Sequence, residues 1–366
     1  MSKNNKGGIT MKLSDNRIMQ EDVEHASAAE FIDWERFKGR TVLVTGATGL
    51  IGGQMVMTLL NANAERGLGM KVIAAVRNRE KAEDLFKYAD KSALELLVQD
   101  VNDPYSYEGG IDFIIHGASI TSSKAFVEYP VETIFTAING TKNLLELAKS
   151  KQVKGMVYLS SLEVYGVVDL SLDSVDEKTF GSIDPMSVRS SYSEGKRIVE
   201  TLCTSYAHEY GVPVKVARLC QSMGAGVGYN DGRVFAQFAR AIIEGTDIVL
   251  MTDGSTERNY CYISDAVTGI LTVLLKGENA EAYNVANKDT LISIKDMAQM
   301  LIDNYPDSGT SLKFNIVEDV TKLGYNPKVK MNLATDKAEA LGWHAEVGLK
   351  EMFDRLIKSM IIIHNS

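Results

Sequence analysis

Cysteine is scarce in this chain. Its 366 residues hold three, Cys203, Cys220 and Cys261. They lie far apart and lack the short paired spacings of metal ligands, which argues against a disulfide framework or a zinc site. The five histidines show no paired-ligand spacing either, so no metal is expected. No apolar run approaches the ~20 residues that span a bilayer. The opening Met1-Ser-Lys-Asn-Asn-Lys6 leads into no apolar segment of the secretory kind. A cytoplasmic protein without membrane contact is expected. Positive charge is also short: 39 Lys and Arg stand against 48 Asp and Glu, a formal net charge of −9. That balance counts against nonspecific binding to nucleic acid or to anionic lipid. A phosphate ligand would need positive charge gathered locally.

What is present is a large apolar fraction, 45%, enough for a sizeable core and for two domains or one large domain with an appendage. The most telling stretch is Thr41-Val-Leu-Val-Thr-Gly-Ala-Thr-Gly-Leu-Ile-Gly-Gly53. A short apolar run drives into glycines 46, 49 and 52, and a helical pattern, Gln54 to Leu60, follows. A strand entering a glycine turn and then a helix sets free backbone N–H groups at the positive end of the helix dipole, where a pyrophosphate binds. Gly46 permits the tight turn, Gly49 lets the ligand approach, and Gly52 brings helix and strand together. Thr48, Leu50 and Ile51 complete the expected cofactor contacts of this turn.

Strands and helices then alternate. The pattern predicts strands over 41–45, 71–76, 95–99, 111–116, 154–160 and 213–218, and helices over 52–64, 79–88, 131–150 and 190–210. This is an α/β protein with a parallel, doubly wound sheet. Residues 1–20 are polar and expected to fray, and the spacing of Val23, Ala26, Ala29, Phe31, Trp34 and Phe37 predicts a helix over 21–37. Beyond 218 the pattern turns irregular. Loops are expected around 222–232 and 251–259, helices over 233–244 and 293–304, and a strand over 282–285. The expected division is an N-terminal extension with a helix (1–38), a dinucleotide-binding domain (39–218) and mainly a substrate-binding lobe (219–366), some of whose segments return to the first domain.

The second strand ends in Arg77-Asn-Arg79, with no acid before Glu80. A carboxylate there would accept from a ribose 2′-hydroxyl, whereas a guanidinium pairs with a 2′-phosphate. NADP(H) is therefore favoured, with NAD(H) the alternative. Asp100-Val101 after the third strand is placed for the adenine edge. Gly117-Ala118-Ser119 after the fourth gives a small-residue floor, Gly117 and Ala118 towards the cofactor and Ser119 towards the substrate.

Tyr192-Ser-Glu-Gly-Lys196 sets a phenol and an ammonium one turn apart on one helix face. Tyrosine with its pKa near ~10 is a weak base at neutral pH. A nearby lysine cation lowers that value and can also hold the nicotinamide ribose. Ser161, at the end of the preceding strand, would hydrogen-bond the reacting oxygen.

With these residues in view, the chain resembles the extended short-chain dehydrogenase/reductase family, the NAD-dependent epimerase/dehydratase group that modifies nucleotide sugars. The likeness runs from about Gly39 to the C-terminus. It rests on Thr45-Gly-Ala-Thr-Gly-Leu-Ile-Gly52, Asn139-Gly-Thr141, Ser160-Ser-Leu-Glu-Val-Tyr-Gly166, Tyr192-x-x-x-Lys196 and Arg258-x-x-x-Tyr262-x-x-Asp265. It implies a Rossmann-type sheet that binds the cofactor and a smaller C-terminal lobe that grips a nucleoside diphosphate. It also implies a homodimer built on helices 131–150 and 190–210. Arg258 falls where relatives carry a substrate-contacting arginine, and Arg233 is a second candidate.

The segment after Ser161 separates the chemistries. Sugar 4,6-dehydratases resembling this chain place Thr-Asp-Glu there, and this chain has Ser161-Leu162-Glu163. Leucine cannot protonate a leaving hydroxyl, so dehydration is demoted. Glu163, Arg189, Tyr192, Lys196 and Arg258 together are most similar to decarboxylases of the UDP-glucuronate type. However, Gln221 replaces the usual asparagine and Gly224-Ala225 the usual Gly-Pro, so substrate identity does not transfer. Arg77 with Leu162 tilts the expectation towards NADPH-dependent reduction of a keto group on a nucleotide-activated sugar or ketose. A CDP-ketose reduced to a CDP-alditol for a surface polysaccharide is one concrete case. In it Tyr192 delivers the proton, Lys196 tunes it, Ser161 orients the carbonyl, and Glu163 binds substrate hydroxyls. Two alternatives stand beside it. One is a redox-neutral epimerase or decarboxylase with retained NAD; the other is a non-catalytic nucleotide sensor.

Overall fold

The computed structural model describes residues 11–317 and 328–365; the polar opening segment expected to fray lies outside them as far as residue 10. Six apolar strands alternate with helices: β1 Thr41–Thr45, β2 Lys71–Val76, β3 Leu94–Val98, β4 Phe113–His116, β5 Gly155–Ser161 and β6 Val214–Leu219. With the strand Ala282–Val285 they form one seven-stranded sheet, ordered Ala282–Val285, β6, β5, β4, β1, β2, β3. Every pairing is parallel. The order reverses between β1 and β4, and the crevice beyond their carboxyl ends is where such a sheet receives its ligand.

Alternation within a strand feeds two cores. Val42 and Val44 point into one, packed with α2 (Leu50–Arg66) and α8 (Ile263–Lys276). Leu43 points into the other, packed with α5 (Pro130–Lys151) and α6 (Ser190–Tyr210). A third core lies in the smaller lobe, around α7 (Val234–Glu244), the helix Ile294–Asn304 and the C-terminal helix Leu349–His364. Short helices α3 (Arg79–Leu85) and α4 (Ser123–Glu128) complete the first half.

The N-terminal region departs from the expected single helix over 21–37. Helix α1 spans Arg17–Ala28 and starts early because the Asn16 side chain caps it, accepting from the Ile18 and Met19 amides. It stops at Ala28, and Trp34–Phe37 forms a separate short 3-10 turn. The Trp34 indole donates to the Ala29 carbonyl at 3.0 Å, which draws the chain back after the helix end. The expected loops around 222–232 and 251–259 hold strands at their margins. Gln221–Met223 pairs in parallel with Tyr260–Tyr262, and Glu257–Arg258 pairs with Ile292–Ser293.

Candidate active site

The glycine turn has the shape its sequence requires. Gly46 adopts φ +69°, and a Cβ there would lie 2.9 Å from the Ala118 amide nitrogen and the Gly117 carbonyl. A Cβ on Gly52 would stand 2.2 Å from the Gly46 carbonyl oxygen. Gly49 caps α2 in an extended conformation, so Leu50, Ile51 and Gly52 present the first-turn amides that have no carbonyl one turn back. The cradle thus fits a dinucleotide pyrophosphate. Gly52→Ala is expected to destabilise the fold by about 1–3 kcal/mol and to abolish NAD(P) binding. Thermal denaturation and a cofactor titration would check both.

Beneath the turn lies a relay that no sequence motif signals. Thr45 Oγ1 accepts from the Ala118 amide at 3.2 Å and meets His116 Nδ1 at 2.7 Å, while His116 Nε2 meets Thr141 Oγ1 at 3.0 Å. Burial, with Lys196 adding to it, lowers the His116 pKa to about 3, so the ring is neutral. One ring nitrogen then donates and the other accepts, with the Thr45 and Thr141 hydroxyls in the complementary roles. Val101 seats against Gly140 of α5, where a Cβ would come within 2.9 Å of it. Asp100 accepts from the Asn102 amide and side chain at 2.9 Å, and Ser119 is half-buried. Arg77 is exposed at the end of β2 and its side chain has no protein partner among the described residues.

Ser161 ends β5, and α6 carries Tyr192 and Lys196 on one face. The Tyr192 phenol lies near the Ser161 hydroxyl. Its ring stacks on Phe126 of α4, with centroids 4.2 Å apart and planes 13° from parallel. The Ser191 hydroxyl fixes that helix by donating to the Phe126 carbonyl at 2.9 Å. Burial and then Glu163 push the Tyr192 pKa up, opposed by Ser161 and Arg189. This corrects the expectation that Lys196 would lower it. Lys196 Nζ donates to the Leu159 carbonyl at 2.7 Å and sits 4.6 Å from the Tyr158 ring centre, against 5.7 Å from that of Tyr192. Its own pKa falls to about 8 through burial, against the raising effect of Glu200.

Glu163 follows Ser161 and is already partnered. Arg189 grips it with two bonds, at 3.0 and 2.9 Å, and the Ser193 hydroxyl donates to it at 2.9 Å. The Arg189 guanidinium lies 4.8 Å from the Phe126 ring centre, so Glu163, Arg189, Phe126 and Tyr192 form one packed wall. Leu162 is buried at its side.

The remaining candidates gather in the smaller lobe. Gln221 pairs in register with Tyr260, and Arg233 reaches the carbonyl of Ser222 at 3.4 Å. Arg233 is engaged by Asp231, with contacts at 3.0 and 2.7 Å. Arg258 differs. Its Nε is buried without a partner among the described residues, as is the Tyr260 hydroxyl. Burial pushes the Tyr260 pKa up to about 12, with Arg258 opposing. Buried polar groups in native proteins find partners, so Arg258 and Tyr260 hold hydrogen-bonding capacity that the described residues leave unused.

The family model described as NAD dependent epimerase/dehydratase matches residues 42–286. The chain belongs to this family. It is an NAD(P)-dependent enzyme of the extended short-chain dehydrogenase/reductase type, which sets aside the non-catalytic sensor. UDP-glucuronic acid decarboxylase 6 of Arabidopsis thaliana is 32% identical over 302 residues, 79% of this chain and 85% of the relative. UDP-glucuronic acid decarboxylase 1 of Danio rerio is 29% identical over 322 residues, 87% of this chain and 72% of the relative. A dTDP-glucose 4,6-dehydratase from Streptomyces venezuelae, solved with NAD, superposes with TM-score 0.73 at 22% identity, covering 89% of this chain and 98% of that one. A UDP-glucose 4-epimerase from Thermotoga maritima, solved with UDP-glucose, gives 0.72 at 22% identity, covering 88% and 99%. These two likenesses show the fold. Among the described residues of this epimerase/dehydratase family member, no helix is long and apolar enough to cross a membrane.

Proposed function

We propose that the chain reduces a keto group on a nucleotide-activated sugar or ketose, drawing on NADPH. The observation that supports this most is the make-up of the wall around Ser161 and Tyr192. Among the described residues it offers one proton-bearing phenol and no second free acid, because Leu162 is apolar and the Glu163 carboxylate is held by Arg189 and Ser193. Elimination needs an acid as well as a base, whereas carbonyl reduction needs a single proton delivered to oxygen. Bound NAD(P) supplies the hydride. Ser161 orients the carbonyl oxygen, Tyr192 holds a proton beside it, and Lys196 places a positive charge beneath the pair. In this reading the lobe formed mainly by residues 219–366 binds the substrate, with Arg258 on its diphosphate and Gln221 and Arg233 at its margin.

Arg77 carries the cofactor preference. Arg77→Ala is expected to weaken NADP binding about ten- to a hundredfold, the range for losing a charged hydrogen bond, and to leave NAD binding unchanged. Parallel fluorescence titrations would check this. A homodimer is expected too. Val131 and Phe135 on α5 and Ile198 on α6 are 58, 55 and 49% exposed, on helices that pack against each other, and a shared apolar face invites a second copy. Sedimentation at micromolar concentration would show a dimer, and Phe135→Glu would leave a monomer.

The second reading is a redox-neutral epimerase or decarboxylase that keeps its NAD, favoured by the relatives named UDP-glucuronic acid decarboxylase. Mass spectrometry of nucleotide released from the purified, denatured protein separates the two. Exchangeable NADP(H) or little bound nucleotide supports the reductase. Stoichiometric NAD overturns it.

A further inference from the structure

Helix α1 lies before residue 42, where the family match begins, and it packs on both α2 and α8. Its polar contacts reach farther than its length suggests. Asp22, 1% exposed, accepts from the Tyr262 hydroxyl at 2.8 Å and from Arg355 of the C-terminal helix at 2.6 and 3.0 Å. Asn16 Nδ2 donates to the Ser359 hydroxyl at 2.8 Å, and that oxygen accepts from the Gly226 amide at 3.1 Å. The Met19 methyl closes on the same glycine, where a Cβ would stand 2.5 Å from it. On the opposite side Ser27 accepts from Asn61 of α2 at 2.7 Å. One helix therefore joins the helix of the glycine turn to the loop after Gln221 and to the strand that follows Arg258.

We propose that α1 is a clamp, with Asp22 and Asn16 as positioning residues, that sets the 224–233 loop and the 258–262 segment in their binding geometry before the nucleoside diphosphate arrives. The proposal rests on the reading that the smaller lobe grips that diphosphate. The loop contains Gly224, Gly226, Gly228 and Gly232, and glycine gives a chain more conformational freedom than any other residue. Gly226 (φ +91°) is instead held on its amide by Ser359 and over its α-carbon by Met19. Among the described residues Arg258, with its buried Nε unpartnered, has no side-chain bond to aim it. Tyr262, four residues on in the strand that follows, is pinned by Asp22. A carboxylate as buried as Asp22 is costly without its partners, so docking of α1 and the placement of Tyr262 and Arg355 depend on one another. Preorganisation of this kind appears as ligand affinity, because ordering is complete before binding.

The test uses the full chain with Asp22→Asn, and Tyr262→Phe and Asn16→Ala as milder variants should the first fail to fold. Hydrogen exchange is followed over 222–233, 256–262 and the 46–53 turn, and UDP, CDP and dTDP are titrated calorimetrically beside NADP. Faster exchange in the first two segments is expected with the 46–53 turn unaltered. Affinity for the diphosphate that the wild type binds should fall about tenfold, equivalent to 1.4 kcal/mol, with NADP affinity unchanged. Unaltered exchange in both loops in a folded variant overturns the clamp, and so does loosened exchange with full diphosphate affinity. A wild type that binds none of the three diphosphates overturns the nucleotide reading instead, while the exchange pattern still decides whether α1 holds the loops.

Discussion

Tyr192→Phe is expected to lower kcat by about 10²–10⁴-fold, the range for losing a positioned general acid, while cofactor affinity stays at the wild-type value. Phenylalanine keeps the ring, and with it the stack on Phe126 at 4.2 Å. Only the hydroxyl beside Ser161 is lost. Among the described residues no neighbouring group takes its place: Leu162 has no proton to give, the Glu163 carboxylate is bound by Arg189 and Ser193, and Lys196 is turned towards the Leu159 carbonyl. The raised pKa of the phenol keeps it protonated at neutral pH, which suits a group that delivers a proton to oxygen. Steady-state kinetics with a parallel cofactor titration would check the assignment. Turnover within about tenfold of wild type would move the proton donor elsewhere, since that is less than any such acid contributes.

Much of this site is legible in the amino-acid sequence because its chemistry is local. The glycine turn and the Tyr192–Lys196 pair are short patterns whose spacing dictates geometry, and β1, β2 and α6 fall on their expected bounds. What the sequence conceals comes from distance or burial. Phe126 is 66 positions from Tyr192 and Glu163 is 26 from Arg189, and no periodicity links residues across such gaps. Helix α8 escapes a pattern search because its residues Ile263 to Leu275 are buried all round, so it shows no apolar stripe. The break after Ala28 carries no glycine or proline, and Phe31, Trp34 and Phe37 continue the helical spacing past it. The direction of the Tyr192 shift is hidden for a related reason. Sequence shows a lysine one turn away but cannot show that the phenol is enclosed or that the ammonium points elsewhere.

The largest effect on stability is expected from Arg218, on the sheet beneath the site. Arg218 and Glu200 form a buried pair with contacts of 2.6 and 3.0 Å, their side chains 7 and 13% exposed. Ser160 donates to the same carboxylate at 2.5 Å, and Arg218 continues to the Tyr165 hydroxyl, which donates to Asn284 at 2.6 Å. The network ties β5, α6, β6 and the edge strand Ala282–Val285 together. Arg218→Met removes the cation and leaves Glu200 charged and enclosed, at a cost of about 3–5 kcal/mol, measurable by urea denaturation. Replacing Glu200 by glutamine as well should recover part of that loss, because the uncompensated charge and not the missing contact dominates. The pair also reaches the chemistry. Glu200 lies one turn beyond Lys196 and raises its pKa against the lowering effect of burial. With Arg218 gone, the Glu200 charge acts on Lys196 without compensation, so the lysine should keep its proton to higher pH. The alkaline limb of kcat/KM, which Lys196 would set near pH 8, should then move upward in Arg218→Met and return towards its original position in the double variant. A limb that stays in place in all three proteins would assign it to another group.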